Sequence, residues 1–541
     1  MLQRVQIKLQ LIKTTFNLVL HEYRKYRRIK KRFPEFTSKV PKSKKEILVE
    51  SNQIDSSQLA LALIIPILSE RLNASIKLLR IQKGGWLRKY LIKFRNSLSI
   101  NRIYGAKRTL VINSRGNNRC FLIAKKLMKS NNNPKSFEQI MYLDIRIGDL
   151  VYDTYLSRYN LATLNFNDEN LIFILAECIE YVESLDCYFS KNRVAAVCVS
   201  HTVYLVALPV RVALKYKIPA FQVNSNGVYR LSSEYLHSYT DTDNYPDEFR
   251  KLPSEIQSSG LIASKKQLNK RFDGIIGVDM HYSTKSAYHN FDKEFEVIKQ
   301  TKRRKILIAA HDFYDSPHAF GDHLYPDFFI WLETLFKIAK NSNCDWYIKT
   351  HPDLLGEGEM IIEKLIRKYQ SVQYIPKEVS HHTLLNQGIS IALTVCGTIG
   401  MEYPSLGRFV INASINNPHS AYNFSVTPKN REEYEVILKN LENVVYKIDE
   451  NEILEYYFMH NIYRLRSWIF KDYEIFLNEV GGYYESNTEK VFNYYFTTSN
   501  RYSNSLINQA LVNFLNSEDI CLKRQHFDKD LKELKIALNH Y

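Results

Sequence analysis

Short apolar segments alternate with helical segments in two separate blocks of this chain. In the first block, residues 194–199 form an uninterrupted apolar run, which is typical of a strand buried on both faces, and a helix and another strand come after it. In the second block, apolar runs at residues 305–310, 346–349 and 390–395 alternate with helical segments in the same way. Parallel strands joined by helices are the simplest structure with this alternation. The pattern therefore predicts two α/β regions.

The length of the chain sets the expected number of domains. The chain has 541 residues, whereas one domain usually has roughly 100–200. Residues 232–269 are polar and lack a clear periodicity, which indicates a linker between the two α/β regions. The sequence thus predicts a basic amphipathic segment at 1–45, a first Rossmann-like domain at 46–231, the linker at 232–269, a second Rossmann-like domain at 270–445 and a helical extension at 446–541.

Composition narrows the classes of partner and the compartment. Lys and Arg number 74 against 57 Asp and Glu, a net charge of +17, which favours partners that carry phosphate: a phosphorylated substrate, an anionic lipid or nucleic acid. The sequence contains no RNA-binding or helix-turn-helix signature, so we expect no nucleic-acid partner. The seven cysteines include no CxxC pair, which argues against a zinc site or a disulfide framework and favours the reducing cytoplasm.

The basic segment at the start of the chain suggests attachment to a membrane surface. Apolar residues at positions 5, 9, 12, 16 and 19 are spaced as on one face of a helix, and a dense basic cluster is present at residues 24–32. Such a helix is expected to bind the anionic inner face of the cytoplasmic membrane. The alternative is that the apolar face packs on the protein's own core. The most apolar run, residues 59–68, is far shorter than the ~20 residues that span a bilayer.

The segment Lys349-Thr350-His351-Pro352 comes directly after a predicted strand. Pro352 disfavours a helical backbone at His351, so the imidazole is expected at the rim of the sheet. From there His351 could donate a hydrogen bond to a phosphate oxygen or a proton to a leaving phosphate. The alternative is a histidine that merely caps a loop at the end of a strand.

A second motif comes after the predicted strand at 390–395 and opens a helix. Gly397 and Gly400 allow a ligand to approach the backbone closely, Thr398 supplies a hydroxyl, and free N–H groups at a helix start attract phosphate. Glu402 could accept hydrogen bonds from both hydroxyls of a ribose. The alternative is a tight turn in which Thr398 caps the helix.

Both motifs end βα units of one predicted sheet, and so does the loop that begins at His311 after the strand at 305–310. Ligands of parallel sheets bind where the strands end. The three loops are therefore expected to form one ligand site, in which His311 contacts a sugar or a phosphate. A polar loop with no ligand is the alternative for His311.

These motifs resemble a family, the bacterial capsule polysaccharide biosynthesis proteins, which includes transferases that use CMP-Kdo. More distantly they resemble bacterial sialyltransferases with a His-Pro motif. The resemblance rests on the motifs at 349–352 and 397–402 and on residues 404–410, which look like the glycine turn and strand that close a donor site. It covers roughly residues 300–430.

The resemblance implies a GT-B fold, in which two Rossmann-like domains face each other across a cleft. It also implies that His351 contacts the phosphate of a sugar donor and that Glu402 contacts its nucleoside. The remaining residues expected to bind the donor are Lys349, Gly397, Thr398, Gly400 and His311.

Transfer with inversion needs a base that takes the proton of the acceptor hydroxyl. The candidates in the first α/β region are Asp149, ranked first, then Asp55, with Asp153 and His201 behind them. The Asp-Thr-Asp at 241–243 resembles the DxD of metal-dependent transferases, but no apolar strand leads into it. We therefore expect no metal and no cofactor, with the leaving phosphate stabilised by His351, basic groups and a helix dipole.

The function predicted from these observations is transfer of a sugar from a nucleotide-activated donor, with a CMP-sugar such as CMP-Kdo favoured. The acceptor would be a bacterial capsule or lipopolysaccharide glycan, free or lipid-linked. Two alternatives use the same kind of fold, namely a polyol-phosphate transferase of the teichoic acid type and a sugar-nucleotide epimerase.

Overall fold

The computed structural model describes residues 2–32, 40–52, 54–84, 86–237, 241–281, 283, 285–289, 296–314, 316–350, 356–527 and 530–538. The chain divides into two compact units, and each consists of three segments. Unit 1 comprises Met1–Val151, Phe166–Ser238 and Leu465–Asp528, and unit 2 comprises Tyr152–Asn165, Tyr239–Arg464 and Lys529–Tyr541.

Unit 1 is built on a six-stranded sheet with the order β3-β2-β1-β6-β7-β8, and β4 pairs with β5 separately. All neighbours in the larger sheet are parallel except β7 and β8. The order matches the usual Rossmann arrangement, in which the order of the strands reverses at the first strand. The strands are β1 Lys45–Glu50, β2 Ser75–Lys83, β3 Arg108–Ser114, β4 Met141–Tyr142, β5 Ile145–Arg146, β6 Arg193–Val199, β7 Ala220–Val223 and β8 Val228–Leu231.

Helices connect these strands, as the alternation in the sequence predicts. The start of the longest connecting helix, α7, is capped by the side chain of Asp168, which accepts a hydrogen bond from the N–H of Asn170. The helices that lie wholly in unit 1 before β8 are α1 Leu2–Arg32, α2 Asp55–Arg71, α3 Trp86–Leu98, α4 Asn118–Ser130, α5 Pro134–Glu138, α7 Glu169–Lys191 and α8 Leu208–Lys215. Helix α6, Gly148–Tyr159, begins in unit 1, and its residues from Tyr152 onwards belong to unit 2.

Unit 2 contains a five-stranded, fully parallel sheet with the order β11-β10-β9-β12-β13. Counted along the chain this order is 3-2-1-4-5, so unit 2 is also Rossmann-like. Its elements are α9 Tyr245–Arg250, α10 Ser254–Phe272, β9 Lys305–Ala309, α11 Phe328–Ala339, β10 Asp345–Lys349, α12 Gly356–Tyr369, β11 Gln373–Ile375, α13 His381–Asn386, β12 Ile389–Thr394, α14 Ile399–Ser405, β13 Phe409–Asn412, α15 Arg431–Lys439 and α16 Glu450–Tyr457.

The predicted pair of Rossmann-like α/β domains is confirmed for each unit by itself. The segment at 232–269, predicted to be a linker, contains α9 and most of α10. Its polar composition hides the helices because only a few residues of α10, such as Ile256, Ala263 and Leu268, are buried. Gly260 lets α10 approach the ring of Phe458, which would lie 2.6 Å from a Cβ at this position.

The last part of the chain is helical, as predicted, and its helices belong to both units. Residues 465–528 lie in unit 1, where Trp468 Nε1 donates to the carbonyl of Asn224 at 2.7 Å and Arg230 Nη1 donates to the carbonyl of Ser517 at 2.7 Å. These contacts tie the C-terminal helices to the turn before β8 and to β8 itself. The helices are α17 Tyr473–Val480, α18 Lys490–Thr498, α19 Arg501–Asn516 and, in unit 2, α20 Asp530–Leu538.

Residues 2–32 of the N-terminal basic segment form the helix α1, as predicted. Tyr26 and Ile29 are buried in the core of unit 1, and Val19 is buried as well, whereas Phe16 is exposed. The side chains at positions 5, 9 and 12 lie outside the described residues. Within the described part of the chain, no helix is long and apolar enough to cross a membrane.

Candidate functional site

A cavity of about 600 Å³ lies at the carboxyl ends of the strands of unit 2. Its wall includes His311 from the loop after β9, Lys349 and Thr350 at the end of β10, and Gly397 from the loop after β12. Strands β9 and β12 are neighbours at the point where the strand order reverses. This switch point is where open α/β sheets bind ligands, because the loops on either side diverge and leave a crevice.

His311 connects two of these loops. Its Nε2 accepts a hydrogen bond from the N–H of Val395 at 3.1 Å and lies 3.0 Å from Thr394 Oγ1. An Nε2 that accepts carries no proton, so a neutral His311 has its proton on Nδ1. The ring stacks on Phe328 with centroids 4.7 Å apart. His311 is thus held rigidly against the end of β12.

The glycine motif forms a tight loop in which the two glycines have different roles. Gly397 donates its N–H to Thr394 Oγ1 at 3.2 Å, and a Cβ at Gly397 would lie 2.8 Å from this oxygen. Gly400 is buried away from the cavity, and a Cβ there would lie 2.3 Å from His419 Cε1. Thr398 is exposed in the cavity wall, and within the described chain its side chain makes no capping hydrogen bond. Its hydroxyl is therefore available to a ligand.

Glu402 lies in the cavity wall but is almost completely buried. One carboxylate oxygen accepts a hydrogen bond from Arg271 Nη2, and the other accepts from Tyr288 Oη at 2.8 Å. Arg271 also pairs with Asp279. Burial opposes the charge of Arg271, but the two carboxylates raise its pKa above the ordinary value. The network fixes the orientation of Glu402 and leaves lone pairs on each oxygen for further donors.

Sequence reasoning missed Arg271, Asp279 and Tyr288, which also line the cavity. Arg271 is near the end of α10, where basic residues are common, and Tyr288 lies in an irregular segment. Neither position carries a local signal of function. Their roles depend on contacts with Glu402 across more than a hundred positions of sequence.

Lys349 and Thr350 place polar groups in an otherwise buried part of the wall. Burial lowers the pKa of Lys349 to about 8, and its Nζ donates to the carbonyl of Lys377 at 2.9 Å. The buried hydroxyl of Thr350 has no hydrogen-bond partner within the described chain. A ligand with acceptor oxygens would satisfy both groups. His351, the next residue, lies outside the described residues, so its predicted role stays a prediction.

The two acceptor bases ranked first, Asp149 and Asp55, lie in buried ion pairs of unit 1. Asp55 pairs with Lys25 of α1, and burial raises the pKa of Asp55 although the Lys25 charge lowers it. Asp149 Oδ2 accepts a hydrogen bond from Arg211 Nη2 at 2.7 Å, and both side chains are buried. In unit 2, Asp153 lies 2.6 Å from His318 Nδ1. Each carboxylate therefore has a structural partner, and its role as a base stays a prediction.

Within the described part of the chain, no group of three or more His, Cys, Asp or Glu residues could hold a metal ion. The Asp-Thr-Asp segment forms a short 3-10 helix, Asp241–Asn244. Asp241 pairs with Arg464 at 3.2 Å, and Asp243 accepts a hydrogen bond from Ser420 at 3.0 Å. These two carboxylates thus have separate partners.

The structure brings five of the predicted donor-binding residues into one cavity, whereas the sixth, Gly400, is buried and does not line it. The five are His311, Lys349, Gly397, Thr398 and Glu402. His311, the end of β10 at Lys349 and Thr350, and the loop at Gly397 line one cavity because strands β9, β10 and β12 are adjacent in the sheet.

Comparison with known proteins gives distant structural likenesses only. No family model and no curated protein matches the chain by sequence. Among solved structures, the UDP-GlcNAc 2-epimerase from Neisseria meningitidis is 15% identical, with a TM-score of 0.24, over 77% of this chain and 97% of that chain. A glycosyltransferase from Rickettsia africae is 12% identical, with a TM-score of 0.23, over 78% of this chain and 94% of that chain.

The glycosyltransferase SnogD from Streptomyces nogalater is 9% identical, with a TM-score of 0.19, over 77% of this chain and 95% of that chain. At these values the likenesses carry no argument about activity. The strand orders identify each unit as Rossmann-like. The side chains that line the cavity are the observations from which a function can be proposed.

Proposed function

We propose that this chain is a glycosyltransferase of the GT-B type that moves a sugar from a nucleotide-activated donor to a glycan acceptor. The observation that carries the proposal is the cavity at the switch point of unit 2. Its volume of about 600 Å³ is in the usual range of roughly 300–1,000 Å³ for ligand sites. It combines a cation, hydroxyl groups, a glycine loop and an oriented carboxylate.

The polar groups of the cavity suit the two halves of a nucleotide. Lys349 supplies a charge and Thr350 a hydroxyl for phosphate oxygens, and the absence of a side chain at Gly397 lets the phosphate approach the backbone. Glu402 accepts hydrogen bonds from ribose hydroxyls, while Arg271 and Tyr288 hold it in place. A sugar carried on the phosphate then extends out of the cavity towards its acceptor.

In the transfer, the acceptor oxygen bonds to the anomeric carbon, and the bond from this carbon to the phosphate oxygen breaks with its electrons on the phosphate. The Lys349 ammonium stabilises that charge, and His351 donates a hydrogen bond or a proton to the same phosphate. Asp149 and then Asp55 are the proposed bases for the acceptor proton. Each would first have to leave its ion pair.

The finer parts of the proposal rest on the resemblance of the motifs. We propose a CMP-sugar such as CMP-Kdo as the donor, a capsule or lipopolysaccharide glycan as the acceptor, and a place at the inner face of the cytoplasmic membrane, where a lipid-linked acceptor is found. A GT-B type fold is compatible with epimerases and glycosyltransferases alike, because a fold does not imply one function.

A thermal unfolding experiment with CMP, UDP and CDP-glycerol tests the donor class. We expect CMP to stabilise the wild type most, and Lys349→Met to lose most of that stabilisation. Preference for CDP-glycerol would favour the polyol-phosphate transferase. A UDP-sugar that is epimerised without any acceptor would favour the epimerase. If none of the three ligands stabilises the folded chain, the nucleotide site is wrong.

Replacement of His351 tests its proposed part in the reaction. A group that acts on the leaving phosphate matters most in the transition state, so His351→Ala is expected to lower turnover by about 10²–10⁴-fold. Nucleotide affinity, measured by calorimetry, should change much less. Unchanged turnover in a folded variant would leave His351 with a structural role only.

A further inference from the structure

Helix α1 has an inner face that packs in unit 1 and an outer face that is exposed. The inner stripe includes Val19, Tyr26 and Ile29. On the opposite side Phe16 is 53% exposed and Leu20 is 38% exposed. These fractions are high for large apolar side chains, so the outer face of a structural helix is itself apolar in part.

Helix α3 packs against α1 and has an exposed face of the same kind. Tyr90 is 65% exposed and Phe94 is 46% exposed. Their separation of four residues places them one turn apart on the same side of the helix. Two neighbouring helices thus present aromatic and aliphatic side chains to solvent.

The same two helices also carry exposed basic residues. Between them α1 and α3 contain one acidic residue, Glu22, and its carboxylate accepts a hydrogen bond from the N–H of Ile100 at 3.3 Å. Within the described chain, none of the exposed Lys and Arg side chains of these two faces forms an ion pair except Arg28, which pairs with Glu489. The unpaired exposed cations are Lys13, Arg24, Arg27, Lys30, Lys31, Arg88 and Lys93.

We propose that this α1–α3 surface docks on an anionic lipid bilayer. The surface consists of the apolar residues Phe16, Leu20, Tyr90 and Phe94 with the seven unpaired cations. The apolar side chains would enter the interface while the cations contact headgroup phosphates, a combination typical of helices that lie on membranes. The choice of a lipid partner rests on the proposed function, because a lipid-linked acceptor is found at such a surface.

The composition of the surface favours lipid over nucleic acid. Leu20 is aliphatic and exposed. Aromatic side chains bind single strands by stacking on the bases, and an aliphatic side chain cannot do so. Insertion into a lipid interface uses aliphatic and aromatic side chains alike. The surface also differs from the segment suggested by sequence, because α3 supplies half of its apolar residues.

Truncation of the chain before Lys45 is a poor test of this surface. It removes Tyr26 and Ile29 from the core of unit 1, and it leaves buried Asp55 without the charge of Lys25. Point variants on the outer faces avoid this problem, since they replace exposed side chains.

Vesicle sedimentation of the full chain tests the proposal. The test variant is Tyr90→Ser with Phe94→Ser. The control is Leu122→Ser with Phe173→Ser, which replaces a similarly exposed apolar pair, 66% and 45% exposed, on α4 and α7. With phosphatidylglycerol vesicles, we expect the wild type and the control to bind alike and the test variant to bind roughly tenfold more weakly. Binding should fall at high salt and be absent with phosphatidylcholine alone.

Equal binding of the test variant and the wild type would overturn the proposal, and so would loss of binding by the control. The wild type could instead bind a single-stranded oligonucleotide more tightly than the vesicles, and the double variant Tyr90→Ser with Phe94→Ser could abolish that binding. This result would also overturn the proposal and would assign the surface to nucleic acid. Thermal stabilisation by CMP is measured on the same samples. If CMP fails to stabilise even the wild type while vesicle binding shows the expected pattern, the proposed function fails and the docking surface stands.

Discussion

At the scale of single residues, the burial of Lys349 disfavours the positive charge with which this side chain would attract a phosphate. Burial lowers the pKa of Lys349 to about 8 in the folded chain, whereas the pKa of an unfolded lysine is about 10.4. The buried charge therefore lowers the free energy of unfolding below pH 8, and this loss disappears as the pH rises towards 10. We expect Lys349→Met to raise the free energy of unfolding at pH 7 by about 1–3 kcal/mol, measured by urea denaturation. A destabilised variant would contradict this.

The same residue predicts how nucleotide affinity depends on pH. Only the protonated amine attracts phosphate, so the affinity of the wild type for CMP should fall by less than about twofold from pH 7 to 8 and then by up to about tenfold per pH unit. Lys349→Met should bind weakly with no such decline. Calorimetric titrations from pH 7 to 9.5 check both curves. A parallel decline in the variant would assign the effect to another group.

Thr350 supplies a second test at this scale. Its buried hydroxyl lacks a partner within the described chain, and an unsatisfied buried group costs about 1–3 kcal/mol. Thr350→Val keeps the shape of the side chain, so we expect the unliganded variant to be about 1 kcal/mol more stable and to bind CMP more weakly. Thr350→Ser, which keeps a hydroxyl, is the matched control and should bind like the wild type. Equal affinities for the valine and serine variants would contradict a contact with the ligand.

At the scale of elements, the pair between Lys25 and Asp55 joins α1 to α2. Loss of one partner leaves a buried charge, so Asp55→Asn should destabilise the fold by about 3–5 kcal/mol. The double variant Lys25→Met with Asp55→Leu removes both charges and should recover most of this loss, as chemical denaturation would show. Turnover of the double variant then tests the proposed base. Full turnover would exclude Asp55 from the chemistry.

At the scale of the whole molecule, the cavity belongs to one unit of the two, because each described residue that lines it lies between positions 271 and 460. Ligand binding should therefore protect the amides of unit 2 first. We expect CMP at a hundredfold excess over its Kd to stabilise the fold by about 2.7 kcal/mol. Hydrogen exchange should slow most in the loops after β9, β10 and β12 and least in β1 and β6. Stronger protection in unit 1 would place the nucleotide elsewhere.

The sequence by itself determined the class of fold and the loops that carry the cavity. Uninterrupted apolar runs such as β6 predict buried parallel strands, because a strand covered on both faces needs apolar residues throughout. The same reasoning does not identify β2, where Lys77 and Arg80 interrupt the run. Loops after such strands meet at one edge of the sheet, so His311, Lys349 and Gly397 could be placed together from the strand pattern alone.

Only the tertiary structure decided which side chains act on one another across the chain. Arg271 and Tyr288 meet Glu402 through contacts between segments more than a hundred residues apart, and no local pattern specifies such contacts. Likewise, Lys25 reads as one cation in a basic cluster, yet it is buried against Asp55. Helix periodicity is a local property, whereas the partner that a buried charge requires can come from any element that packs against it.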